Sequence, residues 1–248
     1  MRKKRAQAGV WAMGAVVAAT LGVAAATLGT PGAQGAQGSP AAADSGAASA
    51  VAPSYVLTDQ HGRRVDSEAF RGKVQVVSFL FPFCTTYCPA TAAAMATLQH
   101  DLARTPLRDK VQVVVFNVDP TGASRSQLRQ FWSEFGGDPD DPATSLLTGS
   151  PAATRRVVTG GFHVYYQKVT KAQQDTAMAR AKADGSYQPQ PEVHSTVAAK
   201  AHVDYDIVHN DVIEIVGPSG RIRQVLDGGF GLGRSQLLQA VRSAADGA

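Results

Sequence analysis

Cysteine is almost absent: the 248-residue chain has two, Cys84 and Cys88. No second pair of cysteines or closely spaced histidines accompanies them. That counts against a structural zinc site, which wants four protein ligands in paired spacing. A disulfide across so short a loop falls at the weak end of what loop closure can stabilise, so a purely structural staple would do little. Acid is missing from the first stretch, with none before Asp44. Arg2, Lys3, Lys4 and Arg5 crowd that same end. The formal charge of +4 comes from there, since 24 Lys and Arg less these four leaves 20, equal to the 20 acidic residues. The rest of the chain lacks the clustered positive charge of a nucleic-acid footprint, and no nucleic-acid partner is expected. Internal repeats are also lacking.

The N-terminus carries the one long uncharged run, Ala8 to Leu28. It is about 20 residues long, enough to cross a bilayer, and the basic flank favours holding that end in the cytoplasm. Two readings stay open, an uncleaved anchor over 1–28 or a cleaved secretory signal. Either places the remainder on the extracytoplasmic side, at the cell membrane or secreted, where thiols tend to oxidise. No cysteine closely follows the run, so lipoprotein acylation is not expected. Residues 29–52 are small and low in complexity and read as a flexible linker.

From residue 53 the chain looks folded. "YVLTDQHGRRV" predicts two short strands about a turn. "VQVVSFLF" (74–81) and "VQVVVFNVD" (111–119) are continuous apolar runs, the mark of strands covered on both faces. Helices are predicted over 89–104, over 124–136, where Leu128, Phe131, Trp132 and Phe135 share a face, and over 150–158, with Ser150 before Pro151. "FHVYYQK" reads as a short strand. Residues 169–206 are polar and read as a surface insertion. A hairpin over 211–226 turns at Gly-Pro-Ser-Gly, and a helix over 233–245 follows. This order predicts a three-layer α/β/α sandwich of the thioredoxin-like kind, with a C-terminal β-hairpin and helix.

Cys84 and Cys88 are one helical turn apart at the start of a helix, next to Pro89. The positive end of the helix dipole lowers thiol pKa values there, which suits redox exchange and metal ligation alike. Two soft thiolates select Cu(I), and an added imidazole would admit Cu(II). Six histidines could supply it: His61, His100, His163, His194, His202 and His209. His209 stands out because it enters the terminal hairpin, and in a thioredoxin-like sheet that loop packs beside the cysteine helix. Asp119 shapes the rim of such a site or simply holds the turn before Pro120.

These residues resemble the Sco/SenC family, the thioredoxin-fold copper chaperones of cytochrome c oxidase assembly, from about Leu57 to Ala244. "CTTYCP" fits the family's C-x-x-x-C-P, and "NVDP", "LLTGS" and "VHNDVIEIVGPSG" follow in the family's order. The resemblance implies one copper, as Cu(I) or Cu(II), held by Cys84, Cys88 and His209. It implies delivery to the copper-site subunit of a cytochrome c oxidase or to another copper acceptor. It also admits a second role, in which Cys84 and Cys88 work as a thiol–disulfide oxidoreductase on a copper-receiving partner. The chain departs from the family pattern at three points in the motifs, and its polar insertion is longer than is typical. Thr85-Thr86-Tyr87 stands where Pro-Asp-Val is usual, Val208 replaces an aspartate, and Asn210 replaces a serine. A peroxiredoxin pattern fails because Phe81 occupies its proline position.

Overall fold

The two continuous apolar runs form neighbouring parallel strands. In the computed structural model, which describes residues 50–187, 189 and 194–247, β3 (Val74–Leu80) and β4 (Val111–Asn117) each bury all seven residues and pair from Val74↔Val111 to Leu80↔Asn117. They lie inside a five-stranded sheet of order β5-β4-β3-β8-β9, where β5 is Thr144–Leu147, β8 Val212–Val216 and β9 Ile222–Asp227. Two strand pairs stand apart from it: β1 (Val56–Thr58) with β2 (Arg64–Asp66), and β6 (Tyr166–Thr170) with β7 (Tyr205–His209). The membrane segment expected over 1–28 and all but the end of the linker expected over 29–52 lie outside the described residues. Among the described residues no helix is long and apolar enough to cross a membrane.

Helix α1 (Cys88–Leu102) joins β3 to β4, and α2 (Arg125–Glu134) joins β4 to β5. Both connections step the same way across the sheet, so right-handed crossovers put both helices on one face. Contacts agree: Gln99 of α1 donates to Thr144 Oγ1 on β5 (2.7 Å), and His100 donates to the Gly136 carbonyl just beyond α2 (2.6 Å). The C-terminal helix α6 (Arg234–Asp246) joins this layer through the Arg234–Asp101 ion pair. On the opposite face Phe79 and Phe116 stack at 5.7 Å, with Tyr55 and Phe162 closing over them. That third layer consists of the β1–β2 pair and α3 (Pro151–Val158), so the expected sandwich, hairpin and helix are all present. Leu128, Phe131 and Trp132 of α2 are fully buried, which makes that face core.

Three segments differ from expectation. Residues 144–147, of which only Leu146 and Leu147 fall in the motif read at 146–150, form β5, whose outer edge is satisfied by Gln60: its amide donates to the Thr144 carbonyl and accepts from Leu146 N–H. The strand expected from Phe162 begins only at Tyr166, because His163 sits at φ 59, a left-handed conformation that breaks extension. The 169–206 stretch holds ordered elements. Helix α4 (Lys171–Asp184) has a Thr170/Gln173 capping box and no buried residue. The short α5 (Thr196–Ala201) buries Val197 and Ala198, and Glu134 of α2 accepts from its capping Ser195 hydroxyl and Thr196 N–H.

Candidate metal centre

The C-terminal end of β3 delivers the cysteines. After Leu80 the chain turns, with Cys84 N–H donating to the Phe81 carbonyl at 3.0 Å. Cys88 then opens α1, with Pro89 in the first turn and no side-chain cap from Tyr87. The orphan N–H groups of that turn therefore point toward the cysteine loop. Both thiols are free and buried. Tyr87 stacks on Phe230 at 4.5 Å beside them.

His209, the last residue of β7, reaches this loop from 121 residues away: its Nε2 lies 3.3 Å from Cys88 Sγ. Its Nδ1 lies 2.8 Å from the Asn210 carbonyl. A carbonyl can only accept, so Nδ1 carries the proton and Nε2 presents its lone pair to the sulfur. Burial lowers the imidazole pKa, against the opposing pull of the Asn210 carbonyl, Asp211 and Asp206, which favours the neutral, ligating form. Asn210, the departure from serine, has its own task. Its Oδ1 accepts from Tyr165 N–H (2.8 Å) and its N–H donates to the Tyr165 carbonyl (3.1 Å). The β6–β7 ribbon is thus extended past His209, and the carbonyl that fixes the imidazole is held.

The two thiols are not equivalent. The Cys84 pKa is lowered, chiefly by a hydrogen bond from Cys88 and further by the Thr86 hydroxyl and N–H, although burial and the Asp206 charge push it up. Cys88 is raised well above its usual value, first by burial and then by Cys84. Cys84 is therefore the first to ionise. Cys88 has one thiol proton and two acceptors, Cys84 Sγ and His209 Nε2. The three candidate ligands form a chain with Cys88 in the middle. Among the described residues no group of three or more His, Cys, Asp or Glu is gathered closely enough to hold a metal ion as it stands.

The donor set fits copper: two soft sulfurs out of water and one neutral imidazole with its free nitrogen turned inward. Of the six histidines only His209 meets a cysteine. His61 faces Arg129 and Asp140, His100 is bound to Gly136, and His163, His194 and His202 are exposed.

Several residues around the site carried no sequence signal of their own. Asp211 accepts from the Thr91 hydroxyl of α1 (3.0 Å) and from Phe230 N–H (2.9 Å), tying the histidine segment to the cysteine helix. Asp206 is buried, and desolvation raises its pKa. Asp119, expected either at the rim of the site or in the turn before Pro120, makes two contacts. Its Oδ1 closes the turn by accepting from Gly122 N–H (3.1 Å), and its Oδ2 accepts from the Tyr205 hydroxyl (2.6 Å).

The SCO1/SenC family model matches residues 43–184, more than half of the chain. An 81-residue stretch, 33% of this chain, is 31% identical to the SCO1 protein homolog of Bacillus subtilis (strain 168) and spans only 41% of that protein's length. The copper-bound ScoI structure from Bradyrhizobium japonicum superposes with a TM-score of 0.56 at 20% identity, covering 79% of this chain and 100% of that one. BsSco, a member of the Sco family of cytochrome c oxidase assembly proteins for which a disulfide switch was identified, superposes with a TM-score of 0.56 at 22% identity, covering 79% and 94%. The family match contains both cysteines and Asp119 but ends before β7, so it is the fold that connects His209 to the cysteines.

Proposed function

The chain belongs to the SCO1/SenC family, and on that footing we propose that it is an extracytoplasmic metallochaperone carrying one copper ion on Cys84, Cys88 and His209. The observation that carries the reading is the 3.3 Å approach of His209 Nε2 to Cys88 Sγ, with Nδ1 already committed to the Asn210 carbonyl. Cu(I) entering the site displaces the thiol protons and takes sulfur from Cys84 and Cys88 and nitrogen from His209. Three donors leave one side of the ion open to an incoming ligand, which permits hand-off by exchange to a copper-receiving subunit of a cytochrome c oxidase. The N-terminal run from Ala8 to Leu28 would hold the domain at the outer face of the cell membrane. Titrating the reduced full-length protein with Cu(I) tests the ligand set. Wild type is expected to retain one equivalent against a competing chelator, and His209→Ala to release it at lower chelator concentration. Equal retention would remove His209 from the site.

A second reading, thiol–disulfide exchange, is favoured by the unequal thiols: a Cys84 with lowered pKa beside a Cys88 that holds its proton is the arrangement of an attacking and a resolving thiol. Metal-free reduced protein mixed with an oxidised acceptor dithiol separates the two readings. Stoichiometric reduction of the acceptor, with copper retention unaffected by His209→Ala, would favour exchange.

A further inference from the structure

The histidine reaches the cysteines on a ribbon that belongs to neither the main sheet nor the helical layers, so something must set its position. Strand β7 alternates, with Tyr205, Ile207 and His209 on the same side. Tyr205 is where that side meets the rest of the site. Its ring lies 5.9 Å from Phe81, the residue whose carbonyl holds Cys84 N–H. Its hydroxyl donates to Asp119 Oδ2 at 2.6 Å. The Lys168 ammonium of β6 lies 3.3 Å from the ring centroid. One side chain therefore touches the cysteine loop, the Asp119 turn and the histidine ribbon.

A second observation shows that the Asp119 turn is shaped around this contact. A Cβ on Gly122 would lie 2.0 Å from the Tyr205 hydroxyl and 2.1 Å from Asp119 Oδ2. Only a bare backbone fits beneath the hydrogen bond. The bond also runs to a carboxylate in a buried setting, the stronger kind.

We propose that Tyr205 is a positioning residue, anchoring the β6–β7 ribbon to Asp119 and Phe81 so that His209 Nε2 is held against the cysteine pair. This rests on the reading of His209 as a copper ligand. Tyr205 touches no copper ligand side chain through its hydroxyl; it acts through the strand.

The test is a double-mutant cycle on the full-length reduced protein, with Cu(I) as the probe and retention against a chelator as the readout. Tyr205→Phe keeps the ring on Phe81 and removes only the hydroxyl. It is expected to weaken retention by about tenfold, the scale of a lost charge-assisted hydrogen bond. In the His209→Ala background the same change is expected to do nothing further, because the histidine it places is gone. With Cu(II) bound, Tyr205→Phe is expected to weaken the nitrogen signature in the electron paramagnetic resonance spectrum. Asp119→Asn, which keeps one acceptor oxygen in place of two and removes the charge, is expected to weaken retention in the same direction as Tyr205→Phe and, like it, to do nothing further in the His209→Ala background. Tyr205→Phe equal to wild type while His209→Ala is weakened would overturn the inference and leave the ligand set standing. So would a Tyr205→Phe loss of the same size in both backgrounds, the mark of a merely structural role. His209→Ala equal to wild type would instead overturn the ligand reading and, with it, this one.

Discussion

Glu214 lies in the middle of β8, 1% exposed, opposite Val77 on one side and Val225 on the other. Its Oε2 has no hydrogen-bond partner among the described residues. Burial alone lifts its pKa from 4.5 to about 8. The sign of the consequence follows from linkage. Between those two values the folded protein holds a proton that the unfolded chain releases, so stability is whole below 4.5 and is lost as pH rises toward 8. The slope is about 1.4 kcal/mol per pH unit where the difference is complete. Integrated from pH 5 to pH 8, the loss is about 3 kcal/mol. Glu214→Gln removes the ionisation at nearly constant shape. Urea unfolding of the reduced, metal-free protein at several pH values, wild type beside variant, isolates this group because all other titrations are shared. The two stabilities should lie close at pH 5, and the variant should be ahead by about 3 kcal/mol at pH 8, a midpoint shift on the order of 1 M urea. Parallel profiles across that range would refute the argument and show that water or a neighbour solvates the carboxylate in the folded state.

Asp211→Ala breaks the bonds to Thr91 and Phe230 that tie the histidine segment to α1; it should cut Cu(I) retention several-fold, measured by chelator competition, with a smaller effect on the melting temperature. Gly122→Ala forces a methyl into the Tyr205–Asp119 contact and should cost about 1–3 kcal/mol in denaturant unfolding, as overpacking does. Arg234→Ala strips the partner from the buried Asp101 carboxylate. Because Arg234 is itself largely exposed, the loss should be small and shrink in high salt, read by unfolding at two ionic strengths.

The sheet centre was legible because burial on both faces writes itself as an unbroken apolar run, as in Val74–Leu80 and Val111–Asn117. The edge strand Thr144–Leu147 was not. It is four residues long and takes one edge from β4 and the other from the Gln60 amide, 84 residues away in sequence from the carbonyl it binds. The cysteine loop could be found from spacing alone, and His209 from its place before the hairpin. The residues that orient them could not, since they meet only across long sequence separations: Asp211 with Thr91 and Tyr205 with Phe81 and Asp119. One local pattern held a usable hint: Asp119-Pro120-Thr121-Gly122 is a turn with an aspartate placed to close it.

The departures from the family pattern turn out to work on the same few atoms. Thr86, between the cysteines, supplies a neutral hydroxyl and an N–H to Cys84 Sγ, at 3.2 and 3.4 Å, where an acidic residue would have opposed ionisation. Tyr87 adds a ring against Phe230 and so covers the start of α1. Val208, in the aspartate position, is exposed and cannot act on the imidazole. The charges that do act on the imidazole are Asp211 and then Asp206, and Asp206 also opposes the ionisation of Cys84. Asn210 replaces a hydroxyl with an amide that grips Tyr165 and steadies the carbonyl under His209 Nδ1. Neutral donors thus hold the Cys84 sulfur, and a backbone carbonyl holds the imidazole. A carboxylate at that nitrogen would make the ring a stronger base and a tighter ligand. A carbonyl leaves it weaker, and on the proposed metallochaperone reading a weaker ligand favours release.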